Sequence, residues 1–145
     1  MSAERVIANL LRIAREDLEG ARMLSTRGNR NAIYLCEQAA EKIVRAVLTS
    51  EKIHAGVRHQ LDEMVGLVPE ENPIRPRLRE LQHLGTYATS YRYTTPTGRI
   101  PADPAVHDVE ATAKNIEATL LEVAGRFGVE LDVVDKPAAK ISPIR

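Results

Sequence analysis

Aromatic residues are almost missing from this chain. It has four tyrosines, one phenylalanine and no tryptophan in 145 residues, so its core must be built from aliphatic side chains and alanine. Cysteine is nearly absent too. Cys36 stands alone, which excludes an internal disulfide and fits a reducing cytoplasm. No apolar run approaches the roughly 18 residues that a membrane span needs. The N-terminal stretch MSAERVIANLLRIARED mixes charges into its apolar positions and does not read as a secretory signal. Neither charge is in excess, with 20 basic and 20 acidic residues, and that argues against a broad polyanion-binding surface. What remains is enough for one core in one domain: 43% of the residues are hydrophobic.

The few aromatics are not spread evenly. Tyr87, Tyr91 and Tyr93 all fall within TYATSYRYTTPTGRIP, Thr86 to Pro101. Arg92 lies between two of them and Arg99 follows. The neutral total also hides a local pattern. Between Pro73 and Ile100 the basic residues are Arg75, Arg77, Arg79, Arg92 and Arg99, against the single acid Glu80. Asp62, Glu63, Glu70 and Glu71 precede this segment, and Asp103, Asp108 and Glu110 follow it. The tyrosine cluster thus lies in the most basic part of the chain. Such a segment is either a binding surface or the solvated face of a helix.

Apolar spacing is helical almost throughout. Ile7, Leu11, Ala14, Leu18 and Ala21 form one stripe and predict a helix from about Ala3 to Ser25, with Gly28 as a left-handed cap. The second helix starts near Asn29 or Asn31, either of which can act as N-cap. Its apolar face is broad, with Ala32, Leu35, Cys36, Ala39, Ile43 and Val47 flanked by Ala40 and Val44. Glu37, Glu41 and Arg45 form a narrow polar strip. A helix this apolar belongs at the centre of a bundle. Leu61, Met64, Val65 and Val68 predict a short helix stopped by Pro69. Pro73 and Pro76 suit the first turn of a further helix that carries Leu78, Leu81, Gly85 and Ala88 into the tyrosine cluster. Thr94 to Pro101 reads as a loop. The last helix opens at Asp103 and Pro104. It runs through Val106, Val109, Ala113, Ile116, Leu120, Val123 and Phe127, about 36 Å at 1.5 Å per residue, and closes at Gly128. VELDVV is the one stretch with a strand-like pattern, and KPAAKISPIR reads as a loose terminus. The fold class is all-α: an up-and-down bundle of four long helices with one additional short helix.

Three chemistries can be tested against this layout. Cys36 lies on an apolar helix face, where cysteine acts as a small hydrophobe and not as a nucleophile. Glu51 with His54, and Glu80 with His83, have the Glu-x-x-His spacing of carboxylate-bridged metal sites in bundles. Their phase is wrong, because Glu80 lies about 200° from the core residue Leu78, so no metal or other cofactor is expected. Nucleotide or RNA binding fits better. Arginine offers a planar fork for phosphate, and tyrosine a stacking face with a hydroxyl. Tyr87 reads as an edge of the core, whereas Arg92 and Tyr93 sit at a helix-to-loop junction where a ligand can reach them.

Three stretches together resemble the HEPN family, the small helical domains named for nucleotide binding in higher eukaryotes and prokaryotes. They are ARMLSTRGNRNAIYLCEQAAEKIVRAVL, the HQL at His59 to Leu61, and YATSYRYTTP. The likeness covers residues 3 to about 127 and divides the chain into a helical domain, 1–128, and a tail, 129–145. It implies a cytoplasmic homodimer that binds a nucleotide or RNA without catalysis, as the partner of a small nucleotidyltransferase in a toxin–antitoxin-like module. Site residues implied are Arg92 and Tyr93, matching an Arg-Tyr-Pro motif, and His59; Tyr91 and Arg99 accompany them. The proline departs from the motif, since Thr94 and Thr95 separate Pro96 from Tyr93. Glu41 and Lys42 match positions with a structural role. Some relatives are ribonucleases with an arginine, four to six residues, then a histidine. Arg77 and His83 have that spacing, though Leu78 stands where a polar residue usually follows the arginine. One helix would not turn both to the same face, but in the family such sites are assembled across a dimer. That leaves a metal-independent ribonuclease, and a dimerising protein without ligand, as alternatives.

Overall fold

Local signals set the helix ends. At Ser2 the side-chain Oγ accepts from the Arg5 N–H at 3.1 Å and starts helix α1, Ala3–Ser25. The helix ends in a Schellman turn: Asn29 N–H donates to the Leu24 carbonyl, Gly28 N–H donates to that of Ser25, and Gly28 takes φ +65°. Asn29 Oδ1 accepts from the Asn31 N–H at 2.9 Å and opens α2, Asn31–Ser50. This helix ends in the same way, but with Lys52, at φ +60°, in the left-handed position. A short α3, Leu61–Leu67, precedes α4, Arg75–Leu81, which runs directly into a 3-10 helix, Gln82–Ala88. The last helix is α5, Val106–Phe127, and Gly128 closes it at φ +61°. This computed structural model describes residues 2–57, 60–88, 91–102 and 106–145, with the backbone alone at 106 and 107. His59 and the expected cap at Asp103 and Pro104 lie outside the described residues. Among the described residues the secondary structure is helical, and no helix is long and apolar enough to cross a membrane.

The expected stripes form the core. Ile7, Leu11, Ala14 and Leu18 of α1 are buried, as are Cys36, Ala39, Ile43 and Val47 of α2. So are Val109, Ala113, Ile116, Leu120, Val123 and Phe127 of α5. The alanines let α1 and α2 approach closely, and α2 packs against every other helix. Close approach shows at Gly20, where an added Cβ would meet Leu35 Cδ1 at 3.0 Å.

Four details differ from the expected layout. Among the described residues three helices are long, not four, because the fourth changes at Gln82 to 3-10 geometry. Three residues per turn then align Leu81, Leu84 and Tyr87 on one side, and Leu84 is buried in place of Gly85. The VELDVV stretch forms turns, not a strand. The tail is not loose. Arg12 donates to the carbonyls of Glu130 and Lys136, and Arg15 to that of Leu131. Backbone bonds then tie Ala138 to Glu4, Ala139 to Gly128 and Lys140 to Phe127. At the end of this strap Ile144 is buried and Arg145 forms a two-pronged ion pair with Glu51. Finally, the polar strip of α2 is largely out of solvent. Glu37 has no exposed surface and Glu41 only 6%, since neighbours surround α2 on nearly every side.

Candidate nucleotide-binding site

Where the 3-10 helix ends, the chain enters the loop that carries the tyrosine–arginine cluster. Tyr87 and Tyr91 pack with ring centroids 4.5 Å apart at 42°. Tyr87 belongs to the 3-10 helix and Tyr91 to the loop that follows in sequence. Burial raises the Tyr87 hydroxyl pKa, with the neighbouring Tyr91 adding to the effect. Tyr87 is thus a core-edge residue, as its position on the stripe implied.

Arg92 does the opposite. Its guanidinium lies 4.4 Å from the ring centroid of Tyr34, on the first turn of α2, and 5.7 Å from that of Tyr93. Both distances are within cation–π range. The ring faces hold the flat cation in place, while Nη1 makes one long contact of 3.4 Å to the Ala88 carbonyl. Among the described residues neither Arg92 nor Arg99 pairs with a carboxylate, whereas Arg15, Arg22, Arg45, Arg77 and Arg145 do. Tyr93 is 64% exposed. Beside it a cleft of about 500 Å³ is lined by Tyr91, Tyr93, Thr94, Thr95, Pro96, Pro101 and Ala102. The walls carry aromatic rings, hydroxyls and prolines but no charge. Cations sit next to it in the loop. That division suits a ligand with a flat, weakly polar part and an anionic part.

The loop tip is internally bonded. Thr95 and Arg99 are joined by a backbone hydrogen bond of 2.8 Å, and Thr95 Oγ1 accepts from the Arg99 N–H at 3.1 Å. Arg99 is exposed at this turn. Arg92, Tyr93 and Tyr91 are therefore brought together, and Arg99 lies on the same loop. Tyr34 was not anticipated. It is the one tyrosine outside the sequence cluster, and only the packing of the loop on α2 reveals its use. Arg30, also unforeseen, donates to the carbonyls of Tyr91 and Pro101.

Arg77 and His83 are not brought together within one chain. Arg77 Nη1 pairs with Glu122 of α5 at 2.8 Å. His83 lines a separate, open cleft of about 1050 Å³ with Gln60, Asp62, Glu63, Arg79 and Thr86. Its Nδ1 lies 2.9 Å from the Glu80 carbonyl oxygen. That hydrogen bond requires a protonated Nδ1, so in the neutral ring Nε2 is the acceptor. Glu80 meets His83 through its backbone and not its carboxylate. Cys36 is fully buried, and burial pushes its thiol pKa up to about 12. That suppresses thiolate chemistry.

The chain is thus an all-helical domain with tyrosines and arginines gathered in the loop after the 3-10 helix. The HEPN domain model matches residues 7–127, and the chain belongs to that family. Membership supports a nucleotide- or RNA-related role. No curated protein and no solved structure gives a significant match.

Proposed function

We propose that this chain is a noncatalytic nucleotide- or RNA-binding domain whose ligand meets the Arg92–Tyr93 loop. The stacking of Arg92 on Tyr34, beside an uncharged cleft and without a carboxylate partner among the described residues, carries the reading. Arg92 and Arg99 supply charge for phosphate, and Tyr91 and Tyr93 supply rings for a base. His59 joins this set on the strength of the family motif alone. The family likeness further suggests a homodimer that partners a small nucleotidyltransferase in a toxin–antitoxin-like module.

Binding of a labelled single-stranded RNA and of free nucleotides tests this. Arg92→Ala is expected to remove a charge-assisted contact of about 1.5–3 kcal/mol, a fall in affinity of about ten- to a hundredfold. Affinity should also drop as salt rises. Tyr93→Phe keeps the ring and should cost less than Tyr93→Ala. If neither probe binds and Arg92→Ala instead dissociates a dimer seen by light scattering, the cluster is an interface and the proposal is wrong.

A ribonuclease reading is favoured by one observation: His83, with Nδ1 against the Glu80 carbonyl, lines an open cleft. With Arg77 held by Glu122, it would need a second copy to complete the site. Metal-free cleavage of RNA, lost in His83→Ala with the fold intact, is its test; an inert wild-type protein eliminates it.

A further inference from the structure

The loop from Tyr91 to Ala102 is bonded internally only at its tip among the described residues. Thr95, Gly98 and Arg99 exchange hydrogen bonds there, and these leave the two feet of the loop unjoined. The feet are tied from outside. Arg30 Nη1 donates to the Tyr91 carbonyl at 3.0 Å, and Nη2 donates to the Pro101 carbonyl at 2.9 Å. One planar guanidinium thus spans both ends of the loop. Its nitrogens are fixed in a fork, so the two carbonyls are held at a set separation.

Tyr91 and Pro101 both line the cleft, whereas Arg30 is not part of that lining. Arg30 therefore bonds the backbone of two residues that line the cleft. Four residues further on, Tyr34 supplies the platform on which Arg92 stacks. Residues with this spacing share a helix face. The start of α2 thus provides both the clamp and the platform for a loop that is distant in sequence.

We infer that Arg30 is a positioning residue for the ligand site, an inference that rests on the nucleotide- or RNA-binding reading above. Its guanidinium sets the opening between Tyr91 and Pro101 and keeps Arg92 and Tyr93 aligned with Tyr34. Without it the loop must be ordered by the ligand, and that ordering is deducted from the binding free energy. Lysine is no substitute. A single ammonium on a flexible stem does not present two donors in one fixed plane.

The variants Arg30→Gln and Arg30→Lys test this with two readouts. The first is amide hydrogen exchange over residues 91–102, with helix content and melting followed in parallel. Both variants should exchange faster in this segment alone. The second is affinity for a short labelled single-stranded oligoribonucleotide at several salt concentrations. Affinity should fall about tenfold, the scale of one lost charge-assisted contact. The slope of log affinity against log salt should stay at the wild-type value, because Arg30 does not touch phosphate; Arg92→Ala should instead reduce that slope by about one contact. Unchanged exchange in 91–102 overturns the clamp. A reduced salt slope in Arg30→Gln overturns it too, since Arg30 would then be a phosphate ligand. If wild type binds no RNA, the binding reading fails, and the exchange measurement still decides whether Arg30 holds the loop.

Discussion

Replacing Glu37 by glutamine should make the stability of this protein less sensitive to pH between about 5 and 8. Glu37 has no exposed surface, and its carboxyl lies beside that of Glu41 on the same face of α2. Gln38 Nε2 donates to Glu37 Oε2 at 2.7 Å, while among the described residues Oε1 meets no hydrogen-bond donor. Arg45 bonds Glu41, not Glu37. Burial, reinforced by the Glu41 charge, raises the Glu37 pKa from an ordinary 4.5 to about 8. The folded state therefore holds this proton more tightly than the unfolded chain. Below the unfolded value both states are protonated and Glu37 costs nothing. As pH rises through the interval, the unfolded chain releases its proton and the folded one does not, so stability falls by up to about 1.4 kcal/mol per pH unit. Above the folded value both are ionised and the loss levels off. Integrated from about pH 5 to pH 8, the loss is roughly 3 kcal/mol. Glutamine has the shape of the protonated acid and no proton to lose. Urea unfolding of both proteins, followed by far-ultraviolet circular dichroism across that pH range, should give curves that converge near pH 5 and separate towards pH 8. Parallel curves would refute the placement of Glu37 in a site that excludes its charge.

Ile43→Asp puts an unpaired charge at a fully buried position of α2 and should abolish cooperative unfolding; a well-folded variant with wild-type stability contradicts the core assignment. Gly128→Ala asks a side chain to adopt φ +61° with its Cβ 2.7 Å from that of Ala139. It should cost more than about 1 kcal/mol and speed amide exchange at Ala139 and Lys140, where the strap returns to the end of α5; unchanged exchange there would mean that the strap does not depend on this close approach.

Much of the helical architecture could be read from the chain. The stripe from Val109 to Phe127 keeps its period without a slip, and each of its core positions is buried. The helix ends at Gly28 and Gly128 were equally legible, because a glycine after the last apolar position supplies the left-handed residue the turn needs. Lys52 ends α2 in the same conformation without that signal. The fourth helix misled through its period. Leu78 and Leu81 fit an α-helix as well as a 3-10 helix, and a step of four to Gly85 looked natural until Leu84 proved to be the buried residue.

Of the candidate site, Arg92, Tyr93 and Tyr91 stood out because composition alone marks a tyrosine cluster beside arginine. Tyr34 and Arg30 carried no such mark. Each is an ordinary residue at the start of a helix until the loop folds over it. Docking of the tail was hidden for the same reason, as PAAKISPIR has no period and is held by Arg12, Arg15 and Glu51 from helices far away in the chain. The sequence by itself determined the helical class, most helix ends and the residues of the core, since these depend on neighbours within a turn or two. Only the tertiary structure decided that Arg92 lies on Tyr34, that Arg30 ties the feet of the loop, and that Glu37 is shut away from water. Those outcomes depend on which surfaces the packed helices bring together, and no local pattern encodes that.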